Sequence, residues 1–301
     1  MHPAANIVAF ETSSESISVA VVRGEQLASR EIADAGQQSS ELALPTMRAL
    51  LAEVGLAVRD LDVVVFGQGP GSFTGVRVAC GVTQGLAYGL RKPVIGIPTP
   101  LALAEAARRG GAEHIVVATD ARMGEIYLAA YVVDASAPTG FAEVVTPCLL
   151  KPEDFERLVV PQLTPHRSAG CWTGVGSAFA VPALATALTA NKLISIEVGN
   201  APVFPSAADL IRVAQRMLAK MGSAATIRPH DAAPLYVRNK VALTIEERRT
   251  KAAANINVNT NTNTNANTSA NASANTNANT IANARATDSV AGVAGMAGVA
   301  P

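Results

Sequence analysis

Along the first 251 residues, apolar positions either alternate with polar ones or run together in short blocks. Asn6–Phe10 (NIVAF) is an apolar run of strand length, and Ser16–Val22 (SISVAVV) alternates with period two. Gln26–Ile32 follows a turn at Arg23-Gly24, so the chain opens with a predicted three-stranded meander. Helical spacing then takes over. Leu44, Met47, Leu50, Leu51 and Val54 fall on one stripe. This predicts a helix from about Ser40 to Val54, capped by Ser39 or Ser40 and stopped by Gly55. Leu61–Phe66 (LDVVVF) is continuous and β-branched, as a strand buried on both faces is. A glycine-rich loop leads into a helix from about Phe73 to Gly89. Pro93–Ile97 is the next strand. Thr99 and Pro100 open another helix, threonine as cap and proline in the first turn.

A second unit starts near Glu113. His114–Thr119 and Glu125–Val133 read as strands separated by a tight polar turn, with Phe141–Cys148 placed to pair with the second. Pro152–Leu158 and Phe179–Leu188 read as short helices, with Cys171–Gly174 a strand between them. Pro205-Ser206 opens a helix running to about Met221. Both units begin with hairpins and continue with helices. The expectation is a duplicated α/β fold, although no sequence repeat marks it. From Ala252 to Ala286 the chain is almost entirely Asn, Thr, Ala and Ser. Neither face of that alternation is hydrophobic, so it cannot offset its own ordering entropy, and 252–301 is predicted to be a disordered tail.

Composition sharpens this only in part. The 301 residues carry 24 Lys+Arg and 24 Asp+Glu, for a formal net charge of zero. That argues against a stand-alone polyanion binder, leaving only a local contribution from Arg77, Arg91 and Lys92 open. The 49% apolar fraction overstates the core, because part of it is tail alanine. Cys80, Cys148 and Cys171 are odd in number and far apart, against a disulfide framework or a cysteine zinc site. They are expected to be small buried residues. No apolar stretch approaches the about 18 residues of a membrane helix, and the N-terminus lacks the pattern of a signal peptide. A soluble cytoplasmic protein is expected.

The strongest local feature is Gly67-Gln68-Gly69-Pro70-Gly71-Ser72-Phe73-Thr74-Gly75-Val76-Arg77, between a buried strand and a helix. Gly69, Gly71, Ser72, Thr74 and Arg77 make a candidate phosphate cradle. Glu11 and Thr12 end the first strand, where phosphotransferases of several folds place an aspartate. The loop is neither a Walker A nor a standard dinucleotide fingerprint. It reads equally as a tight turn with glycines at unusual backbone angles. Downstream, Gly81, Gly85 and Gly89 recur every four residues, and each costs a helix about 1 kcal/mol against alanine. Another backbone is expected to approach them, within the fold or across a subunit interface. His2, His114, His166 and His230 form no i,i+4 pair for a metal. Asp120 and Glu125 either belong to a site or flank a hairpin turn in which Arg122 pairs with a carboxylate. No catalytic residue and no metal ligand is assigned.

Four segments together resemble the TsaB family, formerly YeaZ: IVAFETSSESISVAVV, GQGPGSFTGVRVACGVTQGLAYGL, TDARMGEIYLAAY and APLYVRNKVA. They run in order from Ile7 to Ala242. The resemblance implies an actin-like ATPase (ribonuclease-H-like) α/β fold, two subdomains with mixed β-sheets flanked by helices. Residues 1–110, joined by a returning segment 206–250, would form the first subdomain, and 111–205 the second. It further implies a non-catalytic subunit pairing with TsaD to threonylcarbamoylate the adenosine next to the anticodon in tRNA. TsaE joins that complex, TsaC makes the adenylate, and tRNA is met through the complex. No cofactor is expected to bind this chain tightly. ATP or ADP at the partner interface is left open, as is a homodimer. TsaD holds its metal with a helical histidine pair, whereas the early helix here, SSELALPTM, has no histidine. Glu11 also replaces the more usual aspartate. The implied partner surface comprises Met47, Leu50, Leu51 and Val54 of the first helix and Val78, Gly81, Val82 and Gly85 of the second. The alternative is an independent ATP-binding phosphotransferase or ATPase of the same superfamily, using Glu11 and the Gly69–Thr74 loop.

Overall fold

The computed structural model describes residues 5–35, 38–169, 171–190, 196–199 and 204–237. The expected tail 252–301 lies outside the described residues, as does the end of the returning segment.

Ile7–Glu11 (β1) is buried throughout because it is central. It pairs antiparallel with Ile17–Arg23 (β2) on one side and parallel with Val63–Gly67 (β4) on the other. Gln26–Ile32 (β3) and Val94–Ile97 (β5) complete the order β3-β2-β1-β4-β5. The second sheet is built from His114–Asp120 (β6), Ile126–Val133 (β7), Phe141–Leu150 (β8), Trp172–Val175 (β9) and Ile196–Val198 (β10), in the order β10-β9-β6-β7-β8. Read from the β8 edge, its order matches the first sheet strand for strand. In each, an antiparallel meander is followed by two parallel additions. This is the duplicated ribonuclease-H-like plan of the actin-like fold. The short edge strand β10, with two of three residues exposed, is an element the sequence reading lacks, although Ile194–Val198 (ISIEV) alternates apolar and polar residues.

Strand alternation assigns each face of the first sheet a helix pair. Val8 and Phe10 face Ser39–Glu53 (α1) and Phe73–Leu90 (α2), in a core shared with Met47, Leu50, Leu51, Val54, Ala79 and Cys80. Ile7 and Ala9 face the opposite way, into a core with Thr99–Arg109 (α3) and Ala207–Met221 (α7). Ile115, Val117, Ala129 and Tyr131 of the second sheet enter that same core, so α3 and α7 are sandwiched between the sheets. Phe155–Leu158 (α4), Val160–Leu163 (α5) and Pro182–Thr189 (α6) cover the outer face of the second sheet, around Trp172. Two capping expectations are corrected. Gln38 caps α1 without a side-chain bond, and Pro98 is the cap of α3, which leaves the Thr99 hydroxyl free for other work. Leu44 also leaves the expected stripe and is 39% exposed.

The sandwiched helices are locked by charge. Glu105 of α3 is fully buried. It accepts hydrogen bonds from Arg108 (2.8 and 2.9 Å) and from Arg216 of α7 (3.1 and 2.6 Å). Arg216 also donates from Nε to the Thr139 carbonyl at 2.9 Å, tying in the β7–β8 hairpin. Asp209, also buried, accepts from Arg109 at 2.9 Å and Arg212 at 3.3 Å. Burial pushes the Glu105 carboxyl up, but the hydrogen bonds and charges of Arg108 and Arg216 outweigh it and hold it below the ordinary carboxylate value. Its stabilisation is therefore present above the unfolded-state value and is lost as pH falls through the folded one. Glu105→Gln should cost about 1.5–3 kcal/mol at neutral pH, since it weakens the charge-assisted hydrogen bonds of a buried carboxylate. In urea titrations the gap between variant and wild type should close on acidification.

Candidate functional site

The glycine loop joins β4 to α2, and residues just after β1 are pressed into it. Glu11 is buried at the end of β1. Its Oε1 accepts the Ser13 backbone N–H at 2.7 Å, and its Oε2 accepts the Thr99 hydroxyl at 2.9 Å. Thr99 Oγ1 in turn accepts the Gly69 N–H at 3.1 Å. Burial pushes the Glu11 carboxyl above its ordinary value, and hydrogen bonds from Ser13, Thr99 and Thr12 only partly oppose this. Ser13 O accepts the Ser72 N–H at 2.6 Å, and the Thr12 hydroxyl donates to Gly75 O at 2.6 Å. A Cβ at Gly67 would stand 1.9 Å from Glu11 Oε2. At Gly71 it would stand 2.4 Å from Ser13 O, and at Gly75 1.8 Å from Thr12 O. The tight-turn reading therefore accounts for these glycines, and the neighbour they admit is the chain's own β1–β2 turn. Of the cradle candidates, Glu11, Thr12 and Gly69 come together in the interior and Gly71 is half-buried, while Ser72, Thr74 and Arg77 face solvent.

Two features of the site escape the sequence patterns. The segment 232–235 crosses the loop as a strap. Leu235 N–H donates to Gln68 O at 2.7 Å, and Gln68 Nε2 and Gln84 Nε2 donate to Ala233 O and Ala232 O at 3.2 and 2.9 Å. No periodicity marks these residues; only the late APLYVRN segment of the family resemblance touches them. The second is a link made by the Asp120–Glu125 turn, although the turn itself was an expected reading. It is the hairpin turn in which Arg122 pairs with Asp120, at 3.5 Å, but Arg122 also pairs with Glu15 of the β1–β2 turn. The turns of the two sheets are thereby joined. Arg122 and Met123 both hold positive φ, 64° and 59°, to make the bend.

The face of α2 away from the sheet is open. Gly81, Gly85 and Gly89 are exposed, and a Cβ built on any of them meets nothing among the described residues within 4 Å. Close approach within the fold therefore does not explain them. Val78 and Val82 are half-buried beside them. Phe73 and Tyr88 project from the same helix, 51% and 76% exposed. Cys80 is buried, Cys148 half-buried and Cys171 exposed, correcting the expectation of three buried thiols. Among the described residues no group of three or more His, Cys, Asp and Glu could hold a metal ion, and no helix is long and apolar enough to cross a membrane.

The family model TsaD, described as tRNA N6-adenosine threonylcarbamoyltransferase, matches residues 33–244. The Escherichia coli tRNA threonylcarbamoyladenosine biosynthesis protein TsaB is 33% identical over 240 residues, covering 78% of this chain and 96% of that protein. The chain belongs to the TsaB (YeaZ) family. The Haemophilus influenzae TsaB is 45% identical over 123 residues, 40% of this chain and 51% of that protein. Among solved structures, YeaZ from Pseudomonas aeruginosa matches with a TM-score of 0.64 at 30% identity, over 77% of this chain and 99% of that one.

TsaB membership makes one correction necessary. Met47, Leu50, Leu51 and Val54 were the α1 residues expected at a partner surface, yet none is more than 2% exposed. The stripe that helical periodicity detects is the one the sheet buries. These side chains cannot meet a partner unless α1 leaves the sheet. The outward stripe of α1 is Leu44, Arg48 and Ala52. The two glycine sets should respond oppositely to alanine. Gly75→Ala should destabilise by about 1–3 kcal/mol through overpacking against Thr12 O. Gly85→Ala should stabilise by about 0.5–1 kcal/mol, by helix propensity in open space. Thermal unfolding of both variants checks the contrast.

Proposed function

We propose that this chain is a non-catalytic scaffold subunit that pairs with TsaD in tRNA threonylcarbamoyladenosine synthesis. The observation that carries the reading is the open glycine stripe of α2. Three solvent-facing glycines cost the helix about 3 kcal/mol against alanine, and the fold gives nothing back for them. A partner backbone lying along Val78, Gly81, Val82 and Gly85 would. The open space above the glycines suits a helix, because close backbone approach needs small residues on at least one side. In this reading TsaE joins the pair, TsaC supplies the adenylate, and tRNA is met through the assembled complex in the cytoplasm. The chain binds no cofactor tightly by itself, and any ATP or ADP sits at the junction with TsaD. A homodimer would use the same face and give way to TsaD.

Gly85→Arg fills the stripe without touching the core. The variant should fold normally, lose co-purification with TsaD, and fail to support tRNA modification in a reconstitution with TsaD, TsaE and TsaC. Normal co-purification of the folded variant would overturn the docking surface. Turnover of Mg-ATP by the chain alone would overturn the scaffold role.

A further inference from the structure

Arg77 is the single charged residue in the eighteen of α2, and it lies in the first turns. That end of a helix disfavours a cation, so helix stability does not account for it. Two aromatic rings hold it instead. The guanidinium carbon is 3.2 Å from the Phe73 ring centroid and 5.2 Å from that of Tyr236, and Nη1 donates to the Phe73 carbonyl at 3.3 Å. Tyr236 is brought there by the 232–235 strap, and both rings are 51% exposed. None of the ion pairs among the described residues includes Arg77.

A guanidinium packed on rings still offers edge N–H donors beyond the one given to the Phe73 carbonyl, in a plane that matches a carboxylate. Stacking also fixes the rotamer in advance, so less entropy is lost when an anion arrives. One helical turn further along the same stripe lies Gly81. We propose that Arg77, held between Phe73 and Tyr236, is a preformed receptor for a carboxylate of the protein that docks along Gly81, Gly85 and Gly89. The proposal rests on the docking reading above and adds the chemistry of the partner. A carboxylate of a protein is favoured over an RNA phosphate because the cluster is continuous with a stripe shaped for a backbone. A chain of net charge zero also lacks the wider field that holds a polyanion. Arg and Tyr are the residue types that most often dominate protein interfaces.

The test is calorimetric titration of purified TsaD with the full chain and its variants, at low and high salt, with melting midpoints as the fold control. Arg77→Glu should weaken binding by at least about tenfold. Arg77→Lys keeps the charge but not the planar fork and should lose part of that. Tyr236→Ala, which unclamps the guanidinium without altering charge, should weaken binding severalfold; should Arg77→Glu melt, the Lys and Tyr236 variants decide. Salt should weaken wild-type binding but not Arg77→Glu binding, where it screens the repulsion between two carboxylates. If Gly85→Arg abolishes binding while folded Arg77→Glu binds like wild type, the receptor is wrong and the docking surface stands. If Gly85→Arg binds normally, the docking surface fails and the receptor with it. Salt-dependent binding of tRNA by the chain alone, lost in Arg77→Glu, would overturn the carboxylate in favour of a phosphate.

Discussion

The contact on which most of the architecture depends is the seating of Thr12 and Ser13 on the start of α2. Backbone there approaches backbone so closely that only hydrogen is tolerated at Gly71 and Gly75. From this seat the other constraints follow. The Thr12 hydroxyl and the Ser13 carbonyl hold the first turn of α2, Glu11 is trapped beneath the loop, and its carboxylate reaches across to Thr99 at the start of α3. One close approach thus sets the positions of β1, α2 and α3 together. The chain's own Glu11 carboxylate and the Thr12–Ser13 backbone fill the inner side of the glycine loop.

The position of α2 then decides what the molecule can present. Its inner face, with Ala79, Cys80, Thr83 and Ala87, is consumed by the sheet and by the strap at Ala232. Its outer face carries Arg77, the glycines and Tyr88. A helix clamped at its N-terminus by the β1–β2 turn and along its length by a strap is a rigid platform. A surface that is already ordered loses little entropy when a partner docks on it.

The α3–α7 layer does the complementary work. Each sheet alone would leave an apolar face open, and the two are closed over the same helix pair. Nonpolar packing gives that layer affinity without register. Glu105 and Asp209 supply the register, since a buried carboxylate tolerates only the arrangement in which its arginines arrive. The Arg122–Glu15 contact, exposed on both sides, adds a weaker link at the opposite end.

Much of the fold was legible in the sequence, because burial imposes continuous apolar runs on central strands such as β1 and β4 and period 3.6 on α1 and α7. The glycine loop and the glycine stripe were also legible as anomalies, since each residue in them costs backbone entropy. What those anomalies mean was not. Gly71 and Gly75 admit a neighbouring backbone from 58 to 63 residues away, whereas Gly81 and Gly85 admit nothing among the described residues. Periodicity likewise found the stripe of Met47, Leu50 and Leu51 but could not say that the sheet, not a partner, covers it. A side chain's spacing reports that it wants burial, and only the tertiary structure says by what. Local pattern records the demand for contact along one element, while the supplier is placed by chain folding over distances that no local pattern spans.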